Sequence, residues 1–542
     1  MFSLAYNKNK THNLFKQMEA RLPSLSTQNY IPIYTKYFSL NQDNYNNINL
    51  NQCHSICEIV TREAENTYTI LTTDGTTRAS FFKYSPLLDP SKYLVGKYKN
   101  SDICVLPAFG EANKAMDRIS DCNNAAYVDG FFSFLSSKLL HAGGFPHGVD
   151  FYGSFLCIKK DYRIDVSEDM EYLCKSDYFF ENRNKLFTID SELAEYYMNE
   201  GTRRNKTVLS IQDISCCLSL SSTDEYANVF TVPDATPEVA YELVYEQKKE
   251  GIKRASMSSS SSTSISSNSS DTGNCDSSSE YSSELSSIEE EIIECVVKEF
   301  PTQIICLEKL NGTLDSLIED DTDPLGEKEW ASLLFQTIMI LIVYQKAFDF
   351  THNDLHTNNI MYVRTDKRYL NYKYGGAHYK VPTYGRLFKI IDFGRSIYTY
   401  KGVVCCSDSF HPKGDAAGQY NCEPYYNSKK DHIGPNTSFD LCRLGCSLFD
   451  VFFDDVAGKA ENTIARLVRQ WCMDDKGRNV LYKKSGEERY EDFKLYKMIA
   501  RTVHGHLPQK YVGHKAFSSF KTARKHISKK SKIIDVDSVV QC

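Results

Sequence analysis

The sequence predicts an α+β protein of two lobes, with strands concentrated before position 310 and helices after it. Three observations carry this. Short apolar runs bounded by turn residues recur from Ser55 to Leu307, a long helical pattern opens at Glu327, and acidic motifs lie between that helix and a largely helical remainder. At 542 residues, 41% hydrophobic and 25% charged, the chain can bury more than one core. A formal charge of -7 gives no global case for nucleic-acid binding.

Taken in order, residues 1–54 are rich in Asn, Lys and Tyr with weak periodicity, and read as an extension with little core of its own. Strand-like runs fill Ser55 to Lys83, with a turn at Asp74-Gly75. Asn124 to His141 reads as an amphipathic helix, because Val128, Phe131, Phe132, Leu135 and Leu139 recur at helical spacing and Gly143-Gly144 stops the pattern. Phe151 to Ile158 reads as a strand. Segment 160–250 has mixed helical patterns and reads as the start of an insertion, spanning 160–300, within a first lobe of residues 55–306. Inside it, 256–288 is nearly all Ser with a growing share of acid, too polar to offset chain entropy, and is expected to be disordered.

Gln303 to Leu307 is an apolar strand, and Glu327 to Phe350 a helix that opens a second lobe of residues 307–510. The run from Trp330 to Phe350 is nearly long enough to span a bilayer. Gln336 and Gln345 within it, and the polar motif that follows, favour a buried core helix, and no membrane association is expected. Residues 511–542 form a basic tail, with Lys515, Arg524, Lys525, Lys529, Lys530 and Lys532, which is expected to be solvated, a polyanion being the alternative partner. No apolar segment follows the first methionine, so a secretory signal is not expected and the 18 cysteines are expected to be reduced. The Cys53/Cys57 and Cys442/Cys446 spacings suit one helix face, yet each lacks the second ligand pair of a zinc site.

The chemistry concentrates in two places. His352-Asn-Asp-Leu-His-Thr-Asn-Asn359 puts a carboxylate at Asp354 and a carboxamide at Asn359; Lys389-Ile-Ile-Asp-Phe-Gly394 adds Asp392. In this order they suit phosphoryl transfer from ATP: Asp354 orients an attacking hydroxyl and takes its proton, while Asn359 and Asp392 are hard oxygen ligands for Mg²⁺. Gly394 would allow the sharp turn that aims the acid at the metal. Singly, each motif also reads as a capped helix or an ordinary turn.

On these motifs the sequence resembles the eukaryotic-type protein kinase superfamily, and in its details the serine/threonine kinases of large nucleocytoplasmic DNA viruses. The resemblance covers residues 55–160 and 300–505 and implies a two-lobed kinase fold. Ser438-Phe-Asp-Leu-Cys-Arg-Leu-Gly445 is similar to the kinase segment whose buried acid, here Asp440, braces the catalytic loop. The resemblance implies that Lys83 binds the α- and β-phosphates, that Leu307, Glu308 and Leu310 form the adenine-contacting hinge with Leu307 as gatekeeper, and that Asp315 is a candidate for the ribose. It implies a helical acid as partner to Lys83, either Asp129 or Glu111. It also implies protein substrates of viral or host origin, and work in the host-cell cytoplasm with packaging in virions as a further expectation.

Several positions depart from the family pattern. No Gly-x-Gly-x-x-Gly precedes Lys83, Asn353 stands where an arginine usually does, and His356 replaces a common lysine. About twenty extra residues separate Asn359 from Asp392, with a hairpin expected at Gly375-Gly376, and only Glu423-Pro424 stands in for Ala-Pro-Glu. The missing arginine predicts activity without phosphorylation of the segment from Ser396 to Ser428. The first expectation is a serine/threonine-protein kinase using ATP and Mg²⁺. The alternatives are a pseudokinase acting as a nucleotide-binding docking module, and a small-molecule kinase of the aminoglycoside or choline type.

Overall fold

The computed structural model describes residues 5–8, 12–46, 48–110, 113–200, 292–454, 458–460, 462–491 and 493–542. Alternating apolar side chains build an antiparallel sheet from β1 (Ser24–Gln28), β2 (Ile56–Ala64), β3 (Thr67–Thr72), β4 (Thr77–Pro86), β5 (Phe151–Asp165), β6 (Phe187–Ile189) and β7 (Glu294–Glu308), in the order β1-β5-β7-β4-β3-β2, with β6 on the far end of β7. The spine is the pair β5–β7, which shifts register once between Phe151 and Gly153 and then holds from Gly153 opposite Cys306 to Asp165 opposite Glu294. Every second residue of β4 faces each side, so Phe82 enters the core while Lys83 is left on the opposite face.

Helix α1 (His12–Arg21) packs Leu14 and Met18 under the sheet, and α2 (Ala125–His141) crosses it, capped by Asn124, whose side chain accepts from Ala126 N. A Cβ at Gly130 would overlap the amide end of the Gln303 side chain, which lies against α2 at this point. The bulk of α2 is buried all round, so it is a core helix rather than the amphipathic helix its spacing suggested. A larger helix, α3 (Glu327–Phe348), is buried along nearly its whole length. Its two interior glutamines are satisfied: Gln336 accepts from Phe388 N at 3.2 Å, and Gln345 donates to Thr437 O at 3.1 Å. By length and composition α3 alone among the described helices would cross a membrane, but its apolar surface is spent on the protein core.

Beyond α3 come β8 (Ile360–Arg364), the hairpin β9 (Tyr369–Tyr374) and β10 (Ala377–Pro382) turning at Gly375-Gly376, and β11 (Arg386–Ile390), which pairs with β8. The hairpin β12 (Ile397–Tyr400) and β13 (Val403–Cys406) follows, then α4 (Phe439–Phe452), α5 (Thr463–Trp471) and α6 (Lys494–Thr502). A Cβ at Gly445 would meet Trp471 at 2.7 Å, so that glycine sets how closely α4 and α5 pack. The architecture is a mixed arrangement of helix and sheet.

Several expectations are corrected. Residues 1–54 are not a coreless extension: β1 pairs with β5, and Leu14, Met18, Ile31 and Ile33 are buried. Position 306 is not a boundary either, because β7 runs through it to Glu308. The segment from 160 begins inside β5, and residues 167–200 return β6 to the sheet; the Ser-rich stretch 256–288 lies outside the described residues. Residues 511–542 are not a free basic tail. Phe517 and Phe520 pack on Phe335, β14 (Lys521–Thr522) pairs with β10, and β15 (Ile534–Asp535) pairs parallel with β9. The lysines sit on the outside of a folded strap whose apolar residues point inward. Cys57 lies on a strand, not on a helix face shared with Cys53.

A docked strap has a measurable consequence. Phe517 is 1% exposed, so Phe517→Ala should lower stability by about 3–5 kcal/mol in urea unfolding. A loss below about 1 kcal/mol would mean that residues 511–542 do not belong to the core.

Candidate active site

The site forms where β4, α2 and the loops after α3 and β11 converge. Lys83 projects from β4, and its Nζ lies 2.8 Å from Asp129 Oδ2 on α2 and 2.8 Å from Asp392 Oδ1. Asp129 is 3% exposed, and its other oxygen accepts from Phe393 N at 2.9 Å, so this one carboxylate holds both the lysine and the turn that carries Asp392. Burial alone would lower the Lys83 pKa; the two acids reverse that and raise it. Burial raises the Asp129 carboxyl in spite of Lys83. Asp392 is more open, and there the Lys83 ammonium outweighs burial and holds the carboxyl low. At neutral pH the open oxygen of Asp392 therefore presents negative charge to the cleft.

The residue in the left-handed region is Asp392 itself, at φ 62°, whereas Gly394 has no positive φ. The turn does not depend on glycine's freedom, as the sequence had suggested; it stores an uncommon backbone conformation at the acid that would hold the ion. Phe393 is buried among Phe132, Phe350 and His352, which fixes the turn from behind.

The loop after α3 is held from below by Asp440 on α4, fully buried, whose two oxygens accept from His352 N at 2.9 Å and Asn353 N at 3.0 Å. Burial pushes the Asp440 carboxyl up to about 6 against those two donors and the His352 ring. His352 Nε2 lies 2.9 Å from Ile391 O, and Ile391 N donates to Asn359 O at 3.0 Å, so the two motifs are stitched together by backbone groups. Asn359 donates from Nδ2 to Asp354 O at 2.9 Å and lies 3.1 Å from His356 Nε2. Burial lowers the His356 pKa although Asp354 and Asp392 pull it upward, which keeps the ring neutral and able to accept that bond. With both amide protons engaged, the Asn359 oxygen is the atom left for a cation.

Asp354 is partly exposed; Oδ1 accepts from Tyr496 OH at 2.8 Å, and Oδ2 lies 3.4 Å from Arg395. Each carboxylate oxygen has two lone pairs, so neither contact prevents it from accepting an incoming hydroxyl. The cleft beside Lys83, about 340 Å³, is lined by Asp129, Asp392, Gly394, Arg118 and Asp415 among others.

Of the residues expected at a hinge, Leu307 and Glu308 end β7 opposite Phe81 and Ser80, and Leu310 follows two residues on. The Glu308 carboxylate turns inward to buried Lys389 and accepts from Asp150 N at 2.7 Å, so it is spent on structure. The Leu307 carbonyl accepts from Ser80 Oγ at 2.8 Å. Asp315 is tied to Thr357 Oγ1 at 2.8 Å. Of the two acids offered as partner for Lys83, Asp129 makes the pair and Glu111 lies outside the described residues.

No family model matches the chain. A probable serine/threonine-protein kinase of Dictyostelium discoideum is 37% identical over 91 residues, which is 16% of this chain and 8% of that protein. Haspin, a serine/threonine-protein kinase, is 29% identical over 103 residues in Mus musculus and 28% identical over 139 residues in Bos taurus. Local stretches of this chain are similar to serine/threonine-protein kinases. The chain spans only 8% to 16% of the length of these relatives.

Sequence reasoning missed Tyr496 and Arg395, which touch Asp354, and Asp415, which holds Arg395 at 2.7 Å. Arg395 follows the second motif directly and carried a readable signal; Tyr496 reaches the site from α6 and carried none. The bracing by Asp440 gives a direct test. Asp440→Asn keeps the shape but turns one acceptor into a donor facing a backbone N–H, and should cost about 1–3 kcal/mol in chemical unfolding. Unchanged stability would show that the loop does not rest on this carboxylate.

Proposed function

We propose that this chain is a protein kinase that moves the γ-phosphate of ATP to serine or threonine hydroxyls, on a two-lobed kinase fold in which the sheet forms the first lobe and α3 to α6 the second. The observation that carries this reading is Lys83 held between Asp129 and Asp392 while Asn359 is bonded to the backbone of Asp354. A lysine set between two acids, with a third acid and a carboxamide on the facing loop, is the donor set that a nucleotide phosphate and a magnesium ion require.

The residues present fit that ion: Asn359 keeps its oxygen free, and Asp392 keeps one oxygen beyond its bond to Lys83. Bound Mg²⁺ would neutralise phosphate charge and fix the phosphate geometry. Lys83 would give its ammonium to phosphate oxygens, remaining anchored by Asp129. Asp354 would orient the substrate hydroxyl and receive its proton, held in place by Tyr496 and Arg395. Catalysis would come from positioning and electrostatics rather than covalent chemistry.

Two arginines beside the cleft, Arg118 and Arg395, are already paired with carboxylates of the segment from Ser396 to Ser428. Asp415 binds Arg395 at 2.7 Å, and Asp408 binds Arg118 at 3.0 Å and accepts from Ala125 N at 2.9 Å. Asn353, at the site of the family's arginine, donates to Arg395 O at 3.1 Å and accepts from Tyr420 OH at 2.7 Å. Its side chain is used to pin the loop directly.

Purified protein given ATP labelled in the γ-phosphate should label protein acceptors on serine or threonine, only with Mg²⁺, and Asp354→Asn should cut the rate about 10²–10⁴-fold. ATP-dependent thermal stabilisation without transfer would replace this reading with a nucleotide-binding docking module, and label on aminoglycosides or choline alone with a small-molecule kinase. Phosphatase treatment that clears residues 396–428 should leave the rate within about twofold, since one lost charge-assisted contact costs far more; a tenfold fall would show that phosphate is required.

A further inference from the structure

A second cluster of ligand-bearing side chains lies away from the acids of the site. Cys53 and His54 stand in the loop before β2, and His141 is the last residue of α2. One ligand atom from each of the three lies within 4.8 Å of the other two. The local sequence showed no second ligand pair beside Cys53, because its partner comes from a helix end 88 positions away (141 less 53).

The imidazoles are held as metal-binding histidines are held. His141 Nε2 lies 2.7 Å from Asp150 Oδ1, and that carboxylate, 8% exposed, is fixed in turn by Ser137 Oγ at 3.1 Å. His54 Nδ1 lies 3.3 Å from Asp74 Oδ2. Arg78 also approaches His54 Nδ1, at 3.4 Å, but is engaged with the same Asp74 carboxylate. One nitrogen of each ring thus lies beside a carboxylate, and such carboxylate–histidine pairs fix the tautomer and orientation of a ligating imidazole. The rings meet edge to face with centroids 5.0 Å apart, and Lys138 Nζ donates to Asn51 O at 2.9 Å, so the loop already sits on the helix end.

We propose that Cys53, His54 and His141 form a site for a borderline-soft divalent cation of the zinc class, with water as fourth ligand, which clamps the loop before β2 to the end of α2. One thiolate and two neutral imidazoles are a donor set for Zn²⁺, not for Mg²⁺, which takes oxygen. The clamp holds the helix that carries Asp129, three turns before His141. The site is independent of the assignment of ATP and Mg²⁺ to Asn359 and Asp392.

The test uses the full chain, stripped of metal and titrated with Co²⁺. One equivalent should give the near-ultraviolet thiolate-to-cobalt charge-transfer band, and Zn²⁺ should bleach it. Cys53→Ser should abolish the band, His141→Ala should weaken binding at least tenfold, and Asp150→Asn should weaken it about 10- to 100-fold. Cys57→Ser, an exposed thiol outside the cluster, should leave the band intact. Because Cys53 is also exposed, its serine variant should melt like the metal-free wild type, so that loss of the band reports the site and not misfolding. No band at one equivalent, or a band that survives Cys53→Ser, overturns the proposal.

Discussion

The structure around the cleft depends on one ammonium shared by two carboxylates. Lys83 belongs to the sheet, Asp129 to the helix crossing it, and Asp392 to the loop after β11, so this contact closes a triangle among three elements. None of the three groups is well placed alone. A lysine here without the acids would have its pKa lowered by desolvation, and two acids here without the lysine would repel each other. Asp129 then extends its hold through Phe393 N, so the position of the helix and the conformation of the loop are set by the same carboxylate.

That arrangement is reached through packing rather than through ion pairing by itself. Gly130 lies against the Gln303 side chain, and the aromatic side chains of Phe132, Phe350 and Phe393 fill the space behind the turn. The charged groups meet where apolar packing holds the backbone behind them. On the other side of the cleft, Asp440 applies the same logic with backbone donors, trading its own desolvation for a loop that cannot rotate.

The sequence made the local features readable and left the long-range ones hidden. Strands β2 to β5, helices α2 and α3, and the hairpin at Gly375-Gly376 follow from periodicity and turn residues, because each is decided within about ten positions. The roles of residues 12–34 and 511–542 were not readable, since Asn- and Lys-rich spacing hides apolar residues that are buried only by distant partners such as β5 and Phe335. At the site, Asp354, Asn359 and Asp392 stand in compact motifs, whereas Tyr496 comes from a helix 142 positions later and nothing near it in the chain marks it. The inward turn of the Glu308 carboxylate was equally hidden, because it is drawn by Lys389, a lysine whose burial no local pattern announces.

The spine of the sheet joins Asp165 to Glu294 across a long stretch of chain. Closing a chain loop costs entropy that grows only with the logarithm of its length, about 0.6 kcal/mol for each doubling. The two strands repay that cost with a ladder of fifteen-residue partners. A change of chain length beyond position 200, past β6 and its pairing with β7, is therefore nearly neutral for the sheet, and this is a junction where foreign sequence can be spliced in while the cleft stays intact.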